Sequence, residues 1–341
     1  PTDLLALMFG HQLDFYVGDA GNLRDRVGRS LDAVDPDHPH RGLVEGMYAF
    51  GLEECGHYEQ AEAYGLAAVA RNPDDVWAIH AVAHAHEMRG RVDDGLAFLD
   101  ERATDWQGDN LFVVHLAWHR GLFLLEAERV DEVLATYDLW AYNAEAPAAP
   151  LQLVDASALL WRLLLDGVDV GHRFDDLADA WAAALGRCGG PGAPDASWYP
   201  FNDAHAVMAF AGAGRLAEAR AVVARLEGDA AGQRHAGAGA GAGASSATMA
   251  ADAGLPAARA TLAFCEGRHE DVVADLRAVR RTLHRFGGSH AQRDAFERTL
   301  LESSLASGRA GMARALLSER LAARPTSTYA RRRRDDLLSR A

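Results

Sequence analysis

Apolar residues recur at helical spacing along the chain. In Asp3–Tyr16, Leu4, Leu7, Met8 and Phe15 fall with Gln12 on one face, which predicts an amphipathic helix. Gly18–Asn22 reads as a break, and a second helix is predicted over Leu23–Val34. The run DPDHPH, with Pro36 and Pro39, is a stop signal. A helical hairpin follows: GLVEGMYAFGLEECG as its first helix, Gly56 at the turn, YEQAEAYGLAAVARNP as its second, and Pro73 as its end. The pattern repeats from Asp74 to about Ala103 around Gly90, and again from Asp109 to Tyr142 with a turn near Glu128. Gly214-Arg215-Leu216, Gly267-Arg268-His269 and Gly308-Arg309-Ala310 echo Gly90-Arg91-Val92, so hairpins are predicted to continue to the C-terminus. No useful run alternates between apolar and polar in the manner of a strand.

Gly90 lies 34 residues after Gly56, close to the period of a tetratricopeptide repeat (TPR). The expected architecture is all-α: a TPR-like α-solenoid of antiparallel hairpins forming a superhelix, one domain over residues 1–341. Two stretches interrupt it. Cys188–Ser197 (CGGPGAPDAS) reads as a Gly/Pro loop, and Gly228–Gly254, which contains HAGAGAGAGASSA, reads as a flexible Gly/Ala-rich loop that buries no core.

Composition narrows the partners. With 341 residues and 49% hydrophobic content the chain can bury a large core, and a net charge of -15 argues against a nucleic-acid backbone or an anionic membrane as partner. Cys55, Cys188 and Cys265 are odd in number and widely spaced, which suggests neither disulfides nor a thiolate zinc site and fits a reducing cytoplasm. No apolar run reaches membrane-spanning length. The chain opens on Pro1 and not Met, so an upstream segment is expected. Arg331–Arg334, beside Asp335 and Asp336, reads as a solvated helix end.

The main chemical signal is a duplicated histidine pair. WAIHAVAHAHEM holds His80 and His84, LFVVHLAWHRGL holds His115 and His119, and each member of one pair lies 35 residues from its counterpart. Residues four apart share a helix face, so equivalent helices of adjacent repeats would bring the four imidazoles together. Glu87 continues the stripe at i+7 from His80, and Glu53 precedes Glu87 by 34 residues. The stripe is expected on the concave face of the superhelix. Such a set can ligate a divalent transition metal, form a metal-free acid–base pocket, or hydrogen-bond a polar groove for structure alone. His86 lies off the stripe and reads as packing or rim.

Other positions extend this reading. Asp155 in LVDASALLWRL is either an N-cap beside Ser157 or a buried carboxylate that orients a histidine; Asp138 and Arg162 share that ambiguity. In FNDAHAVMAF, Asn202 and Asp203 open a helix, with Asp203 expected as the N-cap and His205 at the helix mouth. Ser289 and Gln292 form a capping-box pattern after Gly287-Gly288, and His290, Arg293 and the helix N–H groups suit a carboxylate or phosphate, or else an ordinary capped turn. Trp77, Trp106, Trp118 and Trp161 read as core or pocket wall. No nucleotide-binding loop or nucleophile motif is present.

Taken in order, GMYAFGLEECGHYEQAEAYG, WAIHAVAHAHEM, HLAWH, TYD, LVDASALLWRL, FNDAHAVMAFAGAGR and GGSHAQRDAFERTL resemble the tetratricopeptide repeat protein 38 family from about His11 to Leu300. The resemblance implies a TPR-like superhelix in the cytosol and carries no biochemical activity with it. Two functions stay open. In one, a histidine-rich concave pocket binds a small polar or carboxylated molecule and transforms it by hydrolase or lyase chemistry, with His80, His84, His115, His119, Asp155, His205 and His290 as acid–base groups or ligands and Glu53, Glu87, Asp203, Gln292 and Arg293 in binding roles. In the other, a non-catalytic TPR scaffold clamps a peptide or protein partner in its groove.

Overall fold

The computed structural model describes residues 3–108, 110, 112–142, 149–188, 199–232 and 242–339. Among these residues the structure is all-helical and contains no strand. Nor is any described helix long and apolar enough to cross a membrane. The first half runs α1 (Leu4–Tyr16), α2 (Ala20–Leu31), α3 (Arg41–Glu54), α4 (Tyr58–Arg71), α5 (Val76–Met88), α6 (Val92–Glu101), α7 (Ala103–Trp106), α8 (Val113–Glu126) and α9 (Val130–Thr136), which passes into a π-helical turn at Tyr137–Ala141. Then come α10 (Pro150–Leu165), α11 (Arg173–Cys188), α12 (Pro200–Gly212), α13 (Leu216–Ala230), α14 (Ala242–Met249), α15 (Leu255–Cys265), α16 (His269–Val279), α17 (His290–Ala306), α18 (Ala310–Ala323) and α19 (Thr328–Ser339).

Local chemistry sets these boundaries. Asp3, Asp19 and Asp75 each accept a backbone N–H three residues on, satisfying orphan donors at the starts of α1, α2 and α5. The Asp19 cap starts α2 at Ala20, earlier than the apolar pattern indicates. Pro150 and Pro200 open α10 and α12, where a missing N–H is harmless. Gly56 (φ 80) and Gly90 (φ 67) turn α3 into α4 and α5 into α6 through the left-handed region. Glu128 makes the same turn after α8 with φ 60, at a strain of about 1 kcal/mol for a residue with a Cβ.

Contacts cluster the chain into two compact units. The first comprises Pro1–Trp140, Ser289–Ala291 and Leu317–Ala341; the second comprises Ala141–Gly288 and Gln292–Leu316. The C-terminal segment joins the first unit through specific bonds: Thr326 donates to the Gly90 carbonyl at 2.8 Å, and Thr328 donates to the Glu126 carbonyl.

In the first unit, Leu7, Val27, Val44 and Met47 form one apolar cluster and Leu23, Ala49, Phe50 and Ala81 another. Helices approach closely where side chains are small: a Cβ on Gly46 of α3 would stand 3.2 Å from the Ala78 Cβ of α5. In the second unit, Trp161 and Trp181 are buried and their indole N–H groups bond Thr299 and Ser157 at 2.9 and 2.8 Å.

The flanks of the expected Gly/Ala-rich loop are helical. α13 runs to Ala230, and α14 continues through a π-helical turn at Ala250–Gly254 into α15. Alanine is the strongest helix former, and Ala250 and Ala253 are buried, so an alanine-rich stretch outside the repeats still folds as helix. Residues 233–241 of that stretch, and 189–198 of the Gly/Pro loop, lie outside the described residues.

Gly95 provides a test of packing between α6 and α8. A Cβ there would overlap the ring of Phe123, which is buried. Gly95→Ala is expected to destabilise the protein by about 1–3 kcal/mol despite the better helix propensity of alanine. Chemical denaturation checks this; an unchanged or raised midpoint would contradict the packing.

Candidate metal centre

Asp75 caps α5, and the uninterrupted helix after it carries His80 and His84 on one face. α8 presents His115 and His119 in the same way. Both helices belong to the first unit. One ligating atom from each of His80, His84, His115 and His119 lies within 4.8 Å of the others. Around the ring of four, successive centroids are 4.4 Å (His80–His84), 4.3 Å (His84–His119), 4.8 Å (His119–His115) and 4.7 Å (His115–His80). The His80–His119 diagonal is only 5.3 Å, too short for a flat square with those edges, so the set is folded towards a tetrahedron.

The tetrad is enclosed. His84 and His119 are fully buried, His80 is buried, and His115 is half-buried. Phe50 and Phe112 each pack against His80 with centroids 4.9 and 5.3 Å away, and the indole of Trp118 stacks on His115 at 5.3 Å. His80 Nε2 and His115 Nε2 face each other at 2.9 Å, a gap that holds a single proton. Neither ring nitrogen of His84 makes a hydrogen bond, and its Nδ1 stands 3.5 Å from Glu53 Oε2.

Carboxylates surround the imidazoles. Glu87 Oε2 accepts from His119 Nδ1 at 3.0 Å, which directs His119 Nε2 away from the carboxylate, and Glu87 Oε1 also has Arg324 Nη1 at 4.0 Å. Glu53 is fully buried. Burial drives His80 well below its ordinary pKa, with the neighbouring His84 and His115 adding to the effect. His84 falls to about 4 for the same first reason, although Glu87 and Glu54 pull it upward. Both rings are therefore neutral near pH 7.

His290 also belongs to the first unit, and its helix start does not stand open for an anion. Its backbone N–H donates to Glu54 Oε1 at 3.0 Å, and its Nδ1 lies 3.3 Å from Glu54 Oε2. The anion at this helix start is thus a carboxylate of the protein itself. Glu53, Glu54 and His290 form a second group whose ligand atoms lie within 4.8 Å of one another.

Of the remaining expected residues, Asp138 and His86 belong to the first unit and the others lie in the second. Asp155 is no N-cap: α10 begins at Pro150, so Asp155 is in the helix interior, buried, with Gln292 Nε2 donating to its Oδ1 at 3.1 Å. Asp203 is no cap either, because Pro200 starts α12 three residues earlier; it is buried and paired with Arg225 at 2.7 Å. Asn202 is buried beside it. His205 is accordingly a fully buried core residue and not at a helix mouth. Its Nδ1 donates to the Phe201 carbonyl at 2.8 Å, and burial lowers its pKa to about 4. Arg293 donates to the carbonyls of Gly287 and Gly288, which turns its guanidinium onto its own backbone. Arg162 Nη1 donates to the Ala158 carbonyl at 2.8 Å, and Asp138 lies in the π-helical turn. His86 packs on Phe98.

Sequence reasoning missed Glu54, Arg324 and His11. Glu54 is adjacent to Glu53 and off the repeat stripe, and Arg324 is distant in sequence. His11 lies in an amphipathic helix whose pattern does not single it out. It is fully buried, donates from Nδ1 to the Leu23 carbonyl at 3.2 Å, and contacts Phe50 and Trp77 edge-on or tilted. Burial lowers its pKa to about 4. No protein-family model matches the chain.

His11 and His205 fix the sign of the acid response. Each titrates near 6.5 when unfolded and near 4 when folded, so between those values the unfolded chain binds more protons. Stability is full above about pH 6.5 and falls as the pH drops towards 4, by on the order of 1–3 kcal/mol for each group. The stability difference between pH 7 and pH 4.5, measured by denaturant titration, should shrink in His11→Asn and in His205→Asn. An undiminished difference in both would mean that burial does not hold these rings neutral.

Proposed function

We propose that this protein is a TPR-like helical repeat protein whose His80, His84, His115 and His119 bind a divalent transition metal, and that the cation assists hydrolysis or elimination on a small polar molecule. The observation that carries the reading is His84: a fully buried imidazole with no hydrogen bond at either nitrogen, amid three others. A buried polar group left unsatisfied costs about 1–3 kcal/mol, and a cation among the four rings removes that penalty.

The separations support the same conclusion. Ring nitrogens that each stand about 2.1 Å from one cation are about 3.0–3.4 Å apart at octahedral or tetrahedral angles, against 2.9 Å for His80 and His115 here. Ligation requires the neutral imidazole, the form burial favours at His80 and His84. Imidazole donors suit zinc, copper, iron or nickel, and the Glu87–His119 bond is the carboxylate contact that commonly orients such a ligand. A cation held there by neutral ligands would keep its charge and, with a coordination position open beyond the four rings, would supply an acidified water for hydrolysis or elimination. The TPR-like arrangement is supported by the near-34-residue spacing of the Gly56 and Gly90 turns. Cys55 and Cys265 are both free thiols, in keeping with a reducing cytoplasm.

Plasma mass spectrometry of the untagged protein, purified without chelator and after metal add-back, tests the site. The wild type should retain at least one transition-metal ion per chain. His84→Ala/His119→Ala should lose the tetrad's ion while keeping its helical circular dichroism, with half-buried His115→Ala as a milder variant. Wild-type protein that takes up no metal would overturn the reading. Glu87→Gln should weaken metal affinity by about 10–100-fold without abolishing binding at saturation; an unchanged dissociation constant in metal-competition titration would remove Glu87 from the ligand's support.

A further inference from the structure

Glu53, Glu54 and His290 lie beside the tetrad in the same unit, and their ligand atoms also lie within 4.8 Å of one another. Both carboxylates are buried, at 0% and 6% exposure, whereas His290 is 42% exposed at its side chain and opens the group towards solvent. A second observation points to a ligand here. The fully buried His84 ring, with neither nitrogen hydrogen-bonded, turns Nδ1 towards Glu53 Oε2 at 3.5 Å. Glu53 therefore lies between the two groups: its Oε2 faces His84 of the tetrad, and the same carboxylate is a member of the set with Glu54 and His290.

We propose that Glu53, Glu54 and His290 hold a second divalent cation, so that the centre is a two-cation site with Glu53 between the two groups. This deepens the single-metal reading above and rests on it. The two donor sets differ in kind. Four imidazoles select a borderline cation such as zinc or iron(II), whereas two carboxylates and one imidazole favour a harder cation such as manganese(II). Carboxylate charge offsets the second cation, since two dications held by neutral ligands alone would repel strongly at the separations of about 3.5–4 Å usual for paired sites. The backbone N–H of His290 fixes one Glu54 oxygen, so the helix start of α17 positions the carboxylate.

The test uses the full chain and metal ions alone. Equilibrium dialysis against Mn2+ or Zn2+, followed by plasma mass spectrometry, should find two ions per wild-type chain. His290→Ala, at a half-exposed side chain, should bind one, and so should Glu54→Gln, while His115→Ala should lose the tetrad ion. The electron paramagnetic resonance spectrum of the Mn2+-loaded wild type should show exchange coupling, which His290→Ala should replace with the spectrum of isolated Mn2+. Circular dichroism establishes that each variant is folded. One ion in the wild type, kept in His290→Ala and Glu54→Gln but lost in His115→Ala, would overturn the second site and leave the tetrad standing. One ion kept in His115→Ala but lost in Glu54→Gln would overturn the tetrad and with it the pair, and no ion in the wild type would overturn both.

Discussion

Keeping imidazoles neutral inside an apolar enclosure is the constraint on which the centre of the first unit depends. Phe50, Phe112 and Trp118 close around the rings, and desolvation then makes a protonated ring expensive. Burial and the neighbouring rings hold His80 and His84 below their ordinary pKa, and one ligating nitrogen from each of the four histidines lies within 4.8 Å of the others. The carboxylates then orient and compensate: Glu87 holds His119, and Glu53 faces His84. Enclosure, tautomer and charge balance thus follow from one another.

The 35-residue repeat of the histidine pair supplies the four rings: α5 and α8 each carry two histidines on one face. The close approach of α3 and α5 at Gly46 and Ala78 brings the Glu53 helix against the His84 helix. Two further contributions come from segments distant in sequence, His290 at the start of α17 and Arg324 beyond α18, and neither follows from the repeat itself.

The second unit treats the same residue types differently. Asp155 takes Gln292, Asp203 takes Arg225, Ser157 receives Trp181, and His205 settles its Nδ1 on the Phe201 carbonyl. These are buried polar groups joined to protein partners, which rigidify a core. The tetrad differs in that an imidazole at its middle, His84, has no hydrogen bond to answer its burial.

Local physics governs the features that can be read from the order of amino acids alone. Helical periodicity, glycine turns at Gly56 and Gly90 and the 35-residue offset of the histidine pairs are properties of neighbouring residues, so the helices and the tetrad are legible in the chain itself. Caps are less so: Asp203 and Asp155 sit in capping-like contexts, yet Pro200 and Pro150 start their helices earlier, because proline's fixed φ and missing N–H favour the first helical position. The remainder belongs to the folded arrangement. Long-range packing placed Glu54 against His290, took His205 into the core, divided the chain into two units and brought Arg324 to Glu87, since no local spacing records which distant surfaces exclude water together.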